Sequence, residues 1–268
     1  MSSTLIQTRR PLRRTTTPRP LNIAHRGASF AAPENTLSAV RRAVDFGADM
    51  VEVDVQRTKD GVLVLLHDST LSRTTDVTRV FRGSGSWRVA DFTYDQLLRL
   101  DAGFWFSRQH VGERIPTLAQ TLDLLSGSGV GLQLELKHPE RYPGVVDDLI
   151  AVLEQAGPIV SGSGQHGVVV QSFHHVSMKE LKARMPFLRV GLLGAPAPRS
   201  LPVLGTWADQ VNPSYRAVDP AYVAAIHDAG MSCHVWTVDR PGAQRRALAM
   251  GVDGVITNRP ERLGMVLA

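Results

Sequence analysis

Near its start this 268-residue chain carries two imidazoles, two carboxylates and a guanidinium, each close to the end of a short apolar run. His25-Arg26 follows Leu21-Asn22-Ile23-Ala24, Glu52 and Asp54 close the run from Met50 to Val55, and His67-Asp68 follows Val62 to Leu66. A parallel α/β protein gathers the C-terminal ends of its strands on one face and keeps its chemistry there. The spacing therefore brings these residues to one pocket, and the mixture suits metal-assisted work on a phosphate.

In Glu52-Val53-Asp54 the strand period of two puts both carboxylates on one face. Two aligned carboxylates repel unless a cation or proton lies between them, and hard divalent ions take such oxygens. Glu135-Leu136-Lys137 ends another apolar run, so Glu135 can add a third carboxylate and Lys137 can face a phosphate. Either pattern read alone is also a strand-end ion-pair ladder. Arg26 offers a planar fork for phosphate oxygens, beside a glycine that permits a tight turn. His25 and His67 suit general acid–base cleavage of a phosphodiester, one taking the attacking proton and the other protonating the leaving oxygen. A lone histidine is more often structural; two at strand ends beside carboxylates shift that reading. Phe173 and Trp236 are candidates for the pocket wall or for plain core. Asn258, after the last strand, is placed to orient a neighbour, and Asp68 has a supporting place.

Eight runs are expected as strands: 21–25, 50–55, 130–136, 167–172, 189–193, 209–213, 232–237 and 253–257. Several are nearly all apolar, as parallel strands covered on both faces are. Stretches with helical spacing lie between most of them: Thr36 to Phe46, Val176 to Met185, Pro220 to Ala229 and Pro241 to Met250. Eight such units in about 250 residues predict an α/β fold, the (β/α)8 barrel. Lys59-Asp60-Gly61 reads as a turn, so the second strand should continue into a hairpin. Residues 68–115 read as an insertion on the active-site face, with a short helix from Tyr94 to Leu100. A second insertion is expected at Gly194 to Pro202.

The formal net charge of +5 comes wholly from the five arginines before residue 21. Residues 1–20, rich in Thr, Arg and Pro, are expected to be a disordered tail, with 21–268 as the barrel. This location weakens a nucleic-acid reading, and no stable nucleic-acid partner is expected. No apolar run is long enough to span a bilayer. The paired arginines have no apolar stretch after them, so no secretory leader is expected. The single cysteine, Cys233, permits no intrachain disulfide and reads as packing.

Taken together, the motifs resemble the glycerophosphodiester phosphodiesterase family. The blocks are His25-Arg26-Gly27-Ala28, Pro33-Glu34-Asn35-Thr36, Glu52-Val53-Asp54-Val55, Asp60-Gly61 and His67-Asp68, with Leu71 and Arg73-Thr74-Thr75. Later blocks are Ile115-Pro116-Thr117-Leu118, Glu135-Leu136-Lys137, Gln171-Ser172-Phe173, Val235-Trp236-Thr237-Val238 and Thr257-Asn258-Arg259-Pro260. The resemblance runs from residue 21 to about 262. It implies a TIM-type barrel with a small insertion after the second strand. It implies His25 and His67 as the acid–base pair, Glu52, Asp54 and Glu135 as ligands to Ca2+, Mg2+ or Mn2+, and Arg26 and Lys137 on phosphate. It gives Glu34 and Asn35 supporting places. The implied reaction, a step of glycerol and lipid metabolism, turns a glycerophosphodiester into glycerol 3-phosphate and an alcohol, often through attack by the glycerol 2-hydroxyl. The cytoplasmic members are the better match. Asp239 stands where the family often has asparagine, which puts a charge at the expected pocket rim.

Two other functions fit the same residues. One is lysophospholipase D-type cleavage, which calls for an acyl channel beside Phe104, Trp105 and Phe106. The other is a non-catalytic binder of phospho-ligands or anionic polymers.

Overall fold

Along β2 (Met50–Arg57) the side chains alternate between two environments. Val51, Val53 and Val55 join the large apolar cluster under the helices, while Met50, Glu52 and Asp54 occupy the opposite face. The same alternation recurs in strand after strand and closes the sheet on itself. The computed structural model describes residues 19–83, 85–161 and 166–268. Residues 1–18, most of the stretch expected as a disordered tail, lie outside the described residues. Arg19 pairs with Asp49 at 2.6 Å.

The strands are β1 (Leu21–His25), β2, β3 (Leu63–Leu65), β4 (Gly131–Leu136), β5 (Val168–Ser172), β6 (Arg189–Leu193), β7 (Gln210–Asn212), β8 (Ser232–Val235) and β9 (Gly254–Thr257). Their order is β1-β9-β8-β7-β6-β5-β4-β2-β3, and β1 also pairs with β2. Leaving out β3, eight parallel strands therefore form a closed barrel with helices around it, the expected (β/α)8 architecture. Each expected strand is present, with small changes at the ends. β2 runs on to Arg57 because β3 pairs antiparallel with Val55 to Arg57, which is the expected hairpin. β8 stops at Val235, and Trp236 makes only an isolated bridge to Ser214.

The barrel interior is layered. Ile23, Met50, Val169 and Ile256 form a small apolar cluster. A buried polar set adjoins it: Gln171 Oε1 accepts from Gln133 Nε2 and from Asn212 Nδ2, each at 2.8 Å. His234 Nδ1 lies 3.0 Å from Gln133 Oε1. A side chain at Gly254 would meet the His234 ring at 2.8 Å, so only a glycine leaves that ring its space. On β4 the same face carries Gln133 and then Glu135 toward the C-terminal end, and Lys137 follows.

The helices pack outside. Helix Leu37–Asp45 starts where Thr36 Oγ1 accepts the Ala39 N–H, and it buries Ala39, Val40 and Ala43. The helices from Pro220, Pro241 and Pro260 each begin with proline in their first turn, where the missing N–H costs nothing. Residues 68–115 gather a second apolar cluster with β3: Val64, Leu66, Leu71, Val77, Val89, Leu97, Leu100, Ala102 and Ile115. Full burial of side chains of this size is worth roughly 1.5–3 kcal/mol each, so the segment carries its own stabilising core. Its short helix ends at Leu97 rather than Leu100. The chain leaves the helix there because Asp101 Oδ1 accepts the N–H groups of Gly103 and Phe104, and Oδ2 that of Gly112, which closes a loop. The stretch expected as a second insertion folds as a 3-10 turn, Pro198–Ser200, and a short helix, Leu201–Leu204. Among the described residues no helix is long and apolar enough to cross a membrane.

Candidate active site

The C-terminal ends of β1, β2 and β4 meet at a cluster of three carboxylates. One oxygen from each of Glu52, Asp54 and Glu135 lies within 4.8 Å of the others, and all three residues are buried. Burial, then the Asp54 and Glu135 charges, push the Glu52 carboxyl well above its ordinary range. Burial and Asp54 push Glu135 up to about 7, against the pull of Lys137. Asp54 goes the other way: burial opposes its ionisation, but the Arg26 and then the Lys137 charge outweigh burial and hold it below its ordinary value. Three buried, mutually repelling carboxylate oxygens form a donor set that fits a hard divalent cation.

The cluster has its own supports. Asn35 Nδ2 donates to Asp54 Oδ2 at 2.9 Å, and the Asp54 N–H donates back to Asn35 Oδ1 at 3.0 Å. The Arg26 N–H donates to Glu52 Oε2 at 2.9 Å. Arg26 (φ 55°) and Asn35 (φ 57°) adopt left-handed conformations uncommon for residues with side chains, a local cost of order 1–3 kcal/mol each that the surrounding bonds must hold. Between them in sequence, Gly27 has φ 77°, and a Cβ there would meet Ala39 at 2.6 Å. A larger residue would push the first helix away from the site.

Two cations flank the carboxylates. Arg26 Nε lies 3.2 Å from Asp54 Oδ2, and its NH1 donates to Glu34 Oε1 at 2.9 Å. Lys137 Nζ lies 2.7 Å from Glu135 Oε1 and 3.5 Å from Asp54 Oδ1. Both side chains line a cavity of ≈ 260 Å³ shared with His25, Glu52, His67, Glu135, Gln171, Phe173, Leu193, Trp236, Thr237 and Ile256. A second cleft of ≈ 290 Å³ adjoins it through Glu135, Lys137 and Phe173, and reaches His138, Glu140 and His174.

The two imidazoles sit on this cavity, each held by its Nδ1. His25 Nδ1 lies 2.7 Å from Asn258 Oδ1, while its Nε2 lies 4.0 Å from Glu52 Oε2. Burial, then the Arg26 charge, lower His25 to about 4, so the ring is neutral in the folded protein near neutral pH. His67 Nδ1 lies 2.7 Å from Asp68 Oδ1. Arg73 grips that carboxylate through Nε at 2.6 Å, and its NH1 and NH2 donate to Glu34 at 2.9 and 2.7 Å. Burial works against the Asp68 charge, but the Arg73 and His67 hydrogen bonds hold its carboxyl down to about 2. A continuous chain of ionic contacts therefore runs from His67 through Asp68, Arg73, Glu34 and Arg26 to Asp54.

Phe173 and Trp236 stand edge to face at 6.0 Å on the cavity wall. Glu34, Asn35, Asp68 and Asn258 each contact one of the residues named above. The structure thus brings together the candidate catalytic, metal, phosphate and supporting residues, but not Asp239 or the Phe104–Phe106 run. Asp239 does not line the cavity: its carboxylate lies behind Asn258 and Thr257 and accepts from both, so the expected charge at the rim is absent. Phe104, Trp105 and Phe106 are not among the lining residues either. Trp105 Nε1 donates to the Ala102 carbonyl, Trp105 packs edge to face on Phe106, and Phe106 packs on His110. Arg73 is visible in the Arg73-Thr74-Thr75 block, but the block alone assigns it no part. The signal that points to it is a basic residue in a polar loop five residues after His67-Asp68.

A model of the glycerophosphoryl diester phosphodiesterase family matches residues 25–262. The chain is 38% identical over 247 residues to a glycerophosphodiester phosphodiesterase of Caldanaerobacter subterraneus subsp. tengcongensis, covering 91% of this chain and 96% of that one. It is 35% identical over 255 residues to a glycerophosphodiester phosphodiesterase of Bacillus subtilis, covering 90% and 84%. Among solved structures, a phosphodiesterase of Oleispira antarctica in complex with the product sn-glycerol-3-phosphate superposes with a TM-score of 0.81 at 29% identity, over 91% of this chain and 95% of that one. A glycerophosphodiester phosphodiesterase of Agrobacterium tumefaciens superposes with a TM-score of 0.74 at 28% identity, over 91% and 98%.

Proposed function

This chain belongs to the glycerophosphoryl diester phosphodiesterase family, and on that footing we propose that it hydrolyses glycerophosphodiesters to glycerol 3-phosphate and an alcohol. The observation that carries the reading is the pair of imidazoles on one cavity with three buried carboxylates and two cations. Glu52, Asp54 and Glu135 would hold a divalent cation of the Ca2+, Mg2+ or Mn2+ kind. Such an ion, when bound, supplies positive charge that stabilises the phosphoryl oxygens. Arg26 and Lys137 add fixed positive charge to the same oxygens. Phe173 and Trp236 wall the glycerol or alcohol arm.

The two imidazoles divide the proton transfers. His25, neutral and with Nε2 on the carboxylate side, takes the proton from the attacking hydroxyl or water as its oxygen bonds to phosphorus. The Asp68 carboxylate, an acceptor only, faces His67 Nδ1 and leaves Nε2 for the leaving oxygen. His67 then gives a proton from Nε2 to the leaving alkoxide as its bond to phosphorus breaks. Asn258 and Asp68 orient the rings, and Glu34 and Asn35 fix Arg26 and Asp54. Where the glycerol 2-hydroxyl attacks, holding it beside phosphorus contributes much of the rate, and water must then open the cyclic phosphate so formed to give glycerol 3-phosphate.

The test is product analysis. Purified protein with a divalent ion and glycerophosphocholine should release glycerol 3-phosphate and choline. Release of phosphocholine and glycerol instead, or of nothing, would refute the reading.

A further inference from the structure

Asp239 follows β8 and touches neither the cavity nor either imidazole, yet its hydrogen bonds set the polarity of the contact that holds His25. Its Oδ1 accepts the Asn258 backbone N–H at 2.8 Å and the Thr257 hydroxyl at 3.1 Å. Its Oδ2 accepts from Asn258 Nδ2 at 2.8 Å. The Thr257 oxygen already accepts from the Arg259 N–H at 3.1 Å and from Gln244 Nε2 at 3.4 Å, so its own proton is left for Asp239. A carboxylate surrounded by donors acts only as an acceptor. The Asn258 amide therefore has one permitted orientation, with its NH2 on Asp239 and its oxygen turned away.

That oxygen accepts from the Ser29 hydroxyl at 2.8 Å and faces His25 Nδ1 at 2.7 Å. An acceptor opposite Nδ1 requires Nδ1 to carry the ring hydrogen. A neutral imidazole has one N–H, so Nε2 keeps its lone pair. Nε2 is the nitrogen on the Glu52 side, at 4.0 Å.

We propose that Asp239 is a positioning residue for the reaction: through Asn258 it fixes the His25 tautomer, so that Nε2 is presented as the proton acceptor. This rests on the proposed use of His25 as the base. Asp239 acts by the direction of its hydrogen bonds rather than by closeness to substrate.

The variant Asp239→Asn changes one oxygen into an NH2 with little change in shape. If the remaining oxygen keeps the backbone N–H and the Thr257 hydroxyl, the new NH2 meets the Asn258 NH2. The opposite arrangement leaves the fixed Asn258 backbone N–H facing a donor, which costs more because the backbone cannot turn. Asn258 therefore turns over, offers its NH2 to His25 Nδ1, and drives the ring hydrogen to Nε2. A second change, Asn258→Asp in the same chain, reverses the polarity again. The amide introduced at position 239 would donate to the new carboxylate at position 258, which would accept from Nδ1.

The test combines 15N NMR of histidine-labelled full-length protein, with the His25 signals assigned by their loss in His25→Gln, and steady-state kinetics with glycerophosphocholine. Wild type should show a protonated Nδ1 and a bare Nε2. Asp239→Asn should invert or mix those signals and lower kcat roughly 100-fold at nearly unchanged KM. The double variant should restore the wild-type tautomer and recover most of kcat. A wild-type ring protonated at Nε2, a folded Asp239→Asn protein with unchanged kcat, or a folded double variant no better than the single one would each overturn the proposal. The wild-type tautomer is read without any variant, so a variant that fails to fold leaves that arm standing. A wild-type protein with the expected tautomer but no hydrolysis would count against the proposed function alone.

Discussion

The two imidazoles of the site are held alike and backed differently. Each has an oxygen 2.7 Å from Nδ1. Behind His25 stands a neutral amide, set by barrel residues that follow β8 and β9. Behind His67 stands a carboxylate gripped by Arg73, a residue of the inserted segment, and the Arg73 side chain is 45% exposed. The first clamp fixes a hydrogen position without adding charge directly beside the ring. The second adds a negative charge at the water's edge. Geometry alone would make the two rings interchangeable. Under the proposed function the difference in backing would assign the two rings opposite proton duties, one supported from the barrel and the other from the inserted segment.

The largest expected effect removes either ring. His25→Ala and His67→Ala should each lower kcat by roughly 100- to 10,000-fold while circular dichroism stays that of the wild type. Near wild-type turnover by either variant would break the pairing itself. Next comes the divalent ion proposed for the three carboxylates. Exhaustive chelation should abolish turnover, and titration calorimetry should show one divalent site that Glu135→Gln weakens. Unweakened binding by that variant would remove Glu135 from the ligand set.

A smaller effect separates the two clamps. Arg73→Ala frees Asp68 and Glu34 together, and kcat should fall about 10- to 100-fold, the usual range for residues that orient the groups around a metal. Because the Arg73 contacts are half-exposed, wild-type activity should already depend on salt through that side, since exposed ion pairs are screened. The Asp239–Asn258 contact pairs a carboxylate with a neutral amide rather than with a cation, so the rate carried by the His25 side should respond less to salt. An Arg73→Ala protein as salt-sensitive as wild type would erase the distinction.

The smallest effect concerns stability. His234, 2% exposed, is lowered to about 4 by burial. Its folded pKa lies below its unfolded value of about 6.5, so the unfolded chain binds the extra proton between those values. Stability is therefore lost as pH falls from about 6.5 toward 4, by about 3 kcal/mol for this residue. Urea unfolding of wild type and His234→Gln at several pH values isolates that contribution, because the active-site carboxylates are common to both. An unchanged pH slope in the variant would contradict the buried neutral ring.

Much of this was legible in the sequence. The barrel strands could be read because strands covered on both faces are written almost wholly in Val, Leu and Ile, as Val168-Val169-Val170 shows. The carboxylate cluster could be read because Glu52 and Asp54 are two apart on such a strand and Glu135 ends another. The clamps were much less visible. Arg73 lies in a loop with no periodicity, so nothing local says that it turns back to Asp68 and Glu34. Asp239 could be placed beside the barrel mouth but not on one side of Asn258 or the other, and that choice decides whether it meets substrate or His25. The interior set of Gln133, Gln171, Asn212 and His234 was hidden in strands whose other residues are apolar. Alternation was the clue there, since each of the four sits on the inward face.

The division of labour between ion and imidazoles is tested most directly by hydrolysis of glycerophosphocholine. The purified protein is stripped of metal and then reloaded with Ca2+, Mg2+ or Mn2+, beside His25→Ala and His67→Ala under the same conditions. Glycerol 3-phosphate is expected from the reloaded wild type alone. Equal product from the stripped protein, or from either histidine variant, would contradict that division.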